Sequence, residues 1–264
     1  MIKKRLAKDK IIFWSICILA ILTAVPLLAI LGEVFFRGYD QLTWSFFTEP
    51  TPTAYKAMKA IEAGEPIPGG IANGIIGTIL MLGMAAVVAI PMGILCGAFL
   101  AENSKNRFAQ TVSYLTDLLQ GTPSVIIGII TYVWVVVPMK GYSAIAGSVA
   151  LCIMMMPLII RSTEETLKIL PASLKEAGLA LGGNRVRVMM KVQLPAAFGG
   201  IFTGVLLAIS RVIGETAPLM FTALGCSLIR WSIDKPMSAV PLLIWEFFND
   251  PNLQDLIWGA SLYV

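Results

Sequence analysis

The chain has 264 residues, of which 57% are hydrophobic and 14% are charged, and its mean hydropathy is +0.80. Soluble domains carry about a quarter charged residues, so this composition indicates a membrane protein. The sequence contains no histidine, which excludes Ser-His-Asp and Cys-His catalysis and imidazole metal sites. It also lacks a G-x-x-x-x-G-K-[ST] loop, so any ATP that drives this protein must be bound by another chain.

The four cysteines lie far apart, with no C-x-x-C pair, and three of them fall inside apolar runs. We interpret them as packing residues. The sequence therefore predicts no catalytic group, no metal site and no cofactor.

A basic segment, residues 1–10, precedes the charge-free run Ile11–Gly32. Such a run rises about 33 Å as a helix, enough to cross a hydrocarbon core of about 30 Å. A secretory signal peptide is the alternative, but the run is too long and no A-x-A-like site follows it. We expect a cytoplasmic N-terminal tail over 1–10 and a retained first span after it.

The second predicted span begins near Ile71 and ends near Ala101, after a polar, aromatic and Pro/Gly-rich segment. Gly93 and Gly97 within it have G-x-x-x-G spacing, which lets two helices approach closely. We interpret this pair as a packing seam.

The third predicted span, Val112–Pro138, is interrupted by Gly-Thr-Pro-Ser at 121–124. Proline removes a backbone donor and clashes with the preceding turn, so a kink or break is expected there. The fourth span, Ala144–Ile160, ends at Arg161. Beyond it, Glu164 and Lys168 have the i, i+4 spacing of a helical ion pair.

The fifth predicted span, Phe198–Leu224, carries Arg211 and Glu215 near its middle. One charge at mid-membrane costs roughly 2.5–3.5 kcal/mol on insertion scales, so the pair should face a pore or a partner. At 100° per residue, one stripe about 80° wide contains both charges together with small and polar residues. These residues are Gly200, Gly204, Ala208, Arg211, Glu215, Pro218 and Thr222. The alternative is a buried salt bridge that neutralises itself.

A more polar segment, residues 171–197, separates the fourth and fifth spans. Ser173 and Glu176 have capping-box spacing, which predicts a short helix over Leu174–Leu181. Gly182 and Gly183 should end it, and a basic amphipathic piece should follow as far as Pro195. With the N-terminus inside, thirteen lysines and arginines fall on the cytoplasmic side and six outside, which places this segment in the cytoplasm.

Glu176-Ala177-Gly178, then Gly182, then Val192-Gln193-Leu194-Pro195 resembles the EAA signature of ABC importer permeases, with matching spacing. Gly178 replaces the usual alanine and Val192 the usual isoleucine. The resemblance implies a cytoplasmic coupling loop over 162–197 that docks on a separate ATPase; an amphipathic loop on the bilayer surface is the alternative. The residues that it implies for ATPase coupling are Glu176, Ala177, Gly178, Gly182, Leu194 and Pro195.

The run Arg211–Leu219, RVIGETAPL, resembles the phosphate transport system permeases of the PstA type, as do Gly69–Thr78 and Gly121–Ser124. The resemblance implies an all-α, polytopic permease of the MetI-like fold of type I ABC importers, with its core over 71–264. It implies that Arg211, Glu215 and Thr216 lie on the phosphate pathway. A guanidinium can offer paired donors to a phosphate oxyanion.

The resemblance implies a transport subunit and not an enzyme. Residues 11–264 should form its multi-pass domain in the cell membrane. Its implied partners are a second phosphate permease in a heterodimer, two copies of a cytoplasmic ATPase, an extracytoplasmic phosphate-binding protein and membrane lipid, with no nucleic acid. After Gly225 we expect an outside loop that could meet the binding protein. Residues 256–264 begin a sixth apolar run that predicts a truncated sixth span.

Other functions stay open on the sequence alone. A permease of another ABC importer, for molybdate, sulfate or polyamine, would keep the EAA loop but not the G-E-T-A-P-L run. A secondary phosphate transporter would need no EAA loop and should show inverted repeats. An intramembrane enzyme would need more than Glu215 beside Arg211.

Overall fold

The computed structural model describes the backbone of residues 2–65 and 67–264, and the side chains of residues 8–10, 12–65 and 67–264. Within this part of the chain the regular structure is helical, apart from one isolated bridge between Leu224 and Met237. The α-helices are α1 (Ile2–Gly38), α2 (Trp44–Thr48), α3 (Ala54–Ala63), α4 (Ala72–Glu102), α5 (Arg107–Gly121), α6 (Ser124–Thr131), α7 (Val137–Met139), α8 (Ala144–Ile169), α9 (Ala172–Ala180), α10 (Arg185–Val188), α11 (Leu194–Ala196), α12 (Phe198–Ile213), α13 (Ala217–Thr222), α14 (Val240–Asn249) and α15 (Leu256–Tyr263). Two π-helical turns, Tyr132–Val136 and Met189–Gln193, join α6 to α7 and α10 to α11.

Three helical segments in the described chain are long and apolar enough to cross a membrane: residues 8–41, α4 and α8. Two bent pairs, α5 with α6–α7 and α10–α11 with α12, could each make one further span, which gives up to five. The second and fourth predicted spans are thus confirmed. The first helix is longer than expected, since residues 2–10 are already helical and continuous with the apolar run.

The packing of α4 against α8 forms the centre of the molecule. Gly93 and Gly97 lie on this seam, where Cβ atoms would stand 2.7 Å from Ile159 Cγ2 and 2.6 Å from the Ile160 carbonyl oxygen. Those distances are shorter than van der Waals contact, so only glycine permits this approach. The predicted packing role of the G-x-x-x-G pair is confirmed.

The third predicted span is not one helix. Thr122 has ψ of 131°, an extended value that proline favours for the residue before it, and Pro123 itself has ψ of 135°. The segments α5 and α6–α7 meet there at 106°. The break was predicted at this position; the sharp turn of the chain was not.

The single fifth helix predicted over Phe198–Leu224 is wrong. The helix α12 ends at Ile213, non-helical backbone follows at Gly214, and α13 begins only at Ala217. The predicted polar stripe therefore does not lie on one helical face. In its first half, Gly200 and Gly204 do share one face of α12, and they pack against Thr166 and Ser162 of α8.

The predicted outside loop after Gly225 is only partly a loop. Its second half forms α14, whose ten residues rise about 15 Å, too short to cross a bilayer. One apolar side of α14 is buried, with Leu243 and Phe247 fully enclosed in a cluster that includes Phe46 and Ile71. The buried side chain of Asn73 accepts hydrogen bonds from Thr51 and donates to the Cys226 carbonyl at 2.8 Å, which ties the segments around Thr51 and Cys226 to the start of α4.

Candidate functional site

The short helix predicted over Leu174–Leu181 is present as α9, but it begins at Ala172, two residues earlier than expected. Its N-cap residue is Pro171, and no side-chain cap is formed, so the capping box predicted for Ser173 and Glu176 is wrong. The predicted end is confirmed. Gly182 has φ +83°, and its amide donates to the Leu179 carbonyl at 2.9 Å.

Gly178 and Gly183 both lie against Val188 of α10, which is 3% exposed. A Cβ on Gly178 would stand 2.9 Å from Val188 Cγ1, and one on Gly183 would stand 2.9 Å from its Cγ2. Glycine at 178, where the EAA signature usually has alanine, therefore lets α10 pack closely on α9. The two helices form one hairpin with the turn at Gly182.

Contacts from the hairpin and from α11, which follows it, attach this region to the long helices. Lys175 of α9 pairs with Glu102 at the end of α4. Leu194 packs against a small apolar cluster with Leu167 and Ile201, from α8 and α12. The basic segment continues to Ala196, one residue past the predicted stop at Pro195, and α12 leaves it at 73°.

The outer side of the hairpin is open. Glu176, Ala177 and Pro195 are exposed, and among the described residues Glu176 has no ion-pair partner. Leu181 is 89% exposed and Val186 is 71% exposed. The hairpin thus offers apolar side chains and a free carboxylate to another molecule.

Arg211 lies in the last turn of α12, and its side chain is exposed. It borders a recess of about 10 Å³, room for about one water molecule. The other walls of the recess come from the break between α5 and α6, from α6 and from the proline of α8. They are Leu119, Gln120, Thr122, Ile127, Met154, Pro157 and Leu158. Two features that the sequence marked separately, the Gly-Thr-Pro-Ser interruption and Arg211, therefore meet here, next to Pro157 of α8.

Glu215 is half-buried in the segment between α12 and α13, and its amide donates to the Val212 carbonyl at 3.2 Å. Within the described chain, Arg211 and Glu215 form no ion pair with each other or with any other residue. The alternative of a self-neutralising salt bridge is therefore excluded for this conformation. Both charges remain available to a ligand or to another chain.

Thr216 does not join the Arg211 recess. Its hydroxyl donates to the Pro241 carbonyl at 3.4 Å, and it lines a separate cavity of about 410 Å³ against α14 and α15. The structure thus brings two of the three predicted pathway residues to the end of α12 and directs the third towards α14.

The sequence predicted only part of a further charged cluster. The predicted pair of Glu164 and Lys168 is confirmed, with 2.6 Å between Oε1 and Nζ. Arg161, expected merely to mark the end of a span, bonds Glu164 at 2.7 Å and Asp117 of α5 at 2.8 Å. The contact between Arg161 and Asp117 spans 44 positions, and no local pattern could have indicated it.

Comparison with known families gives one match that covers more than half of the chain. Residues 89–245 match the family described as "Binding-protein-dependent transport system inner membrane component". The matched region runs from α4 to α14, and it contains the hairpin and the recess at Arg211.

Three curated relatives are similar to nearly the whole chain. The phosphate transport system permease protein PstA of Yersinia pestis is 36% identical over 241 residues, covering 90% of this chain and 78% of the relative. The PstA protein of Haemophilus influenzae is 35% identical, covering 88% and 80%. The probable phosphate transport system permease protein PstA of Methanocaldococcus jannaschii is 32% identical, covering 98% and 89%.

A solved structure similar to this chain is an inward-facing conformation of the MetNI methionine ABC transporter. The TM-score is 0.59 at 19% identity, and the match covers 72% of this chain and 88% of the other. At this identity the likeness concerns the fold, and it confirms the predicted MetI-like arrangement of helices.

Proposed function

Since the chain belongs to the binding-protein-dependent transport system inner membrane components, and among them to the PstA-type phosphate permeases, we propose that it is the permease subunit of an ATP-driven phosphate importer. It moves inorganic phosphate across the cytoplasmic membrane by alternating access. The observation that carries this proposal is the 36% identity to a phosphate transport system permease over 90% of the chain.

Arg211 is the residue we propose for phosphate binding. A guanidinium offers two parallel donors that match two phosphate oxygens, and it stays charged at any physiological pH. Its lack of an ion-pair partner among the described residues leaves these donors free. Glu215, four positions on, supplies a negative charge that keeps the site from holding the anion too tightly. Thr216 belongs to the same proposed pathway, on its side towards α14.

Coupling to ATP takes place through residues 162–197, within a transport core over 71–264. The exposed apolar side chains of the hairpin seat in a cleft of an ATPase subunit, with Glu176, Ala177, Gly178 and Gly182 at the contact. Leu194 and Pro195 carry the movement back to α12. The excess of lysine and arginine on one side supports a cytoplasmic N-terminal tail, residues 1–10, and a cytoplasmic hairpin.

The complete transporter then needs a second phosphate permease, two ATPase copies and an extracytoplasmic phosphate-binding protein. ATP binding and hydrolysis belong to the ATPase, and this chain contributes the pathway. The transport domain over 11–264 is embedded in lipid, which covers the exposed apolar side chains of α1.

The test is uptake of radiolabelled phosphate into ATP-loaded proteoliposomes that contain the two permeases, the ATPase and the binding protein. Molybdate and sulfate are added as competitors. ATP-dependent uptake that neither competitor suppresses is the expected result. Phosphate uptake without ATP would move the protein to the secondary transporters, and ATP-driven uptake of another anion would refute the substrate assignment alone.

A further inference from the structure

Arg161 of α8 holds two helices together through one guanidinium. Its Nε donates to Asp117 Oδ1 at 2.8 Å and its Nη2 to the Ser113 carbonyl at 3.0 Å, and both of these partners belong to α5. Its Nη1 donates to Glu164 Oε2 at 2.7 Å on α8 itself. The planar fork of an arginine carries five N–H donors in a fixed geometry, which lets one side chain serve these three acceptors at once.

The cluster of Arg161, Glu164, Lys168 and Asp117 carries no net charge, and the carboxylate that α8 contributes to it is buried. Glu164 is 4% exposed and accepts from both Arg161 and Lys168, so each of its oxygens has a cationic partner. Asp117, by contrast, has a side chain that is 56% exposed. The bond between Arg161 and Asp117 can therefore open to water at a much lower cost than the bond to Glu164.

The position of this cluster connects two parts of the molecule. On one side, α8 passes through Leu170 and Pro171 directly into α9, the first helix of the hairpin. On the other side, α5 ends at Gly121, one turn beyond Asp117. The break at Thr122 and Pro123 follows directly and borders the recess at Arg211. Arg161 thus joins the stem of the hairpin to the wall of the recess.

We propose that Arg161 is a positioning residue that transmits the movement of the hairpin, through Asp117 and α5, to the helix break beside Arg211. When α9 moves, α8 moves with it, and the paired bonds from Arg161 make the end of α5 follow. Without them α5 no longer follows α8, so ATP is hydrolysed but the pathway does not change its access. This inference rests on the proposed function, and it concerns how that function is coupled.

The test variant is Asp117→Asn, which weakens the exposed bond and leaves the enclosed pair of Arg161 and Glu164 intact. In the reconstituted transporter we expect phosphate uptake per ATP hydrolysed to fall at least fivefold, with unchanged assembly and thermal unfolding. Asp117→Glu keeps the carboxylate and should retain most of the coupling. The matched control is Glu33→Gln, which removes an exposed ion pair with Arg37 that lies within one helix, at 2.6 Å.

A second readout does not depend on the substrate. In a chain whose four cysteines are replaced by alanine, ATP should change the rate at which a thiol reagent labels Thr122→Cys. Asp117→Asn should abolish that change, while Glu33→Gln should leave it intact.

The outcomes separate the two proposals. An unchanged ratio of uptake to hydrolysis in Asp117→Asn, or an unchanged labelling response, would overturn the role of Arg161. A parallel loss of uptake, hydrolysis and thermal stability would reduce the cluster to a structural one. If the wild-type transporter takes up no phosphate with ATP, the proposed substrate fails, and the labelling experiment still decides the inference.

Discussion

Gly97→Ala tests the seam between α4 and α8 on which the remaining structure is assembled. The added Cβ would stand 2.6 Å from the Ile160 carbonyl oxygen and 2.7 Å from Thr163 Cβ. The first of these atoms belongs to a helix backbone and cannot move aside alone, so the helices must separate. Overpacking of this kind costs about 1–3 kcal/mol, against a gain of about 0.5–1 kcal/mol from replacing glycine by alanine within a helix.

The net loss lies between about 0 and 2.5 kcal/mol and should lower Tm by up to about 10 °C, from a slope of about 2–4 °C for each kcal/mol. The matched control is Gly83→Ala on the same helix, where a Cβ meets nothing within 4 Å. It should keep or slightly raise Tm. The assay is thermal unfolding of the purified transporter in detergent, followed by tryptophan fluorescence. A Tm for Gly97→Ala equal to or above that of Gly83→Ala would refute the argument from close packing.

Three further predictions concern other parts of the chain. Arg211→Ala should reduce ATP-driven phosphate uptake at least 100-fold without loss of assembly. Arg211→Lys should retain only part of the uptake, because an ammonium lacks the paired donors. Normal uptake by the alanine variant would contradict the pathway assignment. Gly182→Asp places a side chain at φ +83°, which costs about 1–2 kcal/mol, and should abolish stimulation of ATP hydrolysis. The control Gly141→Asp, with no atom within 4 Å of its Cβ, should leave that stimulation intact. Unchanged phosphate uptake by Gly182→Asp would contradict the docking assignment. Burial raises the pKa of Glu246, which packs against Gly225, from 4.5 to about 6. The stability this group contributes is therefore complete below pH 4.5 and is lost as pH rises through 6. The effect is at most about 1 kcal/mol because the side chain is partly exposed. Glu246→Gln should remove this part of the pH dependence of Tm between pH 4 and 7, and an unchanged slope would contradict it.

The features that could be predicted from the sequence are those that short segments specify by themselves. The presence of α4 and α8 and the residue at which α8 begins follow from long apolar runs, since a hydrophobic stretch in a bilayer must form its own backbone hydrogen bonds. The left-handed turn at Gly182 and the break at Pro123 follow from the backbone of one residue each. The G-x-x-x-G seam was predicted as a packing surface, although its partner on α8 was not identified.

Predictions that extended a local rule across a break were wrong. The stripe containing Arg211 and Glu215 assumed a helix that continued past Gly214, but the chain leaves the helix there and Thr216 bonds Pro241 instead. The segment after Gly225 looked like a loop because it holds polar and proline residues. The burial of Phe247 against Ile71 organises it into a helix, and these two positions are far apart in the sequence.

By itself, then, the sequence determined the membrane class, the main helices, the hairpin with its glycine turn and the residues that resemble a phosphate permease. Only the tertiary structure decided which of these features meet. It placed the proline break of α5, Pro157 of α8 and Arg211 around one recess, and it paired Arg161 with Asp117. The physical reason is the distance along the chain over which each interaction acts. Hydrogen bonds within a helix and the geometry of proline involve residues up to four positions apart. The partner of a side chain on another helix depends instead on how whole helices pack.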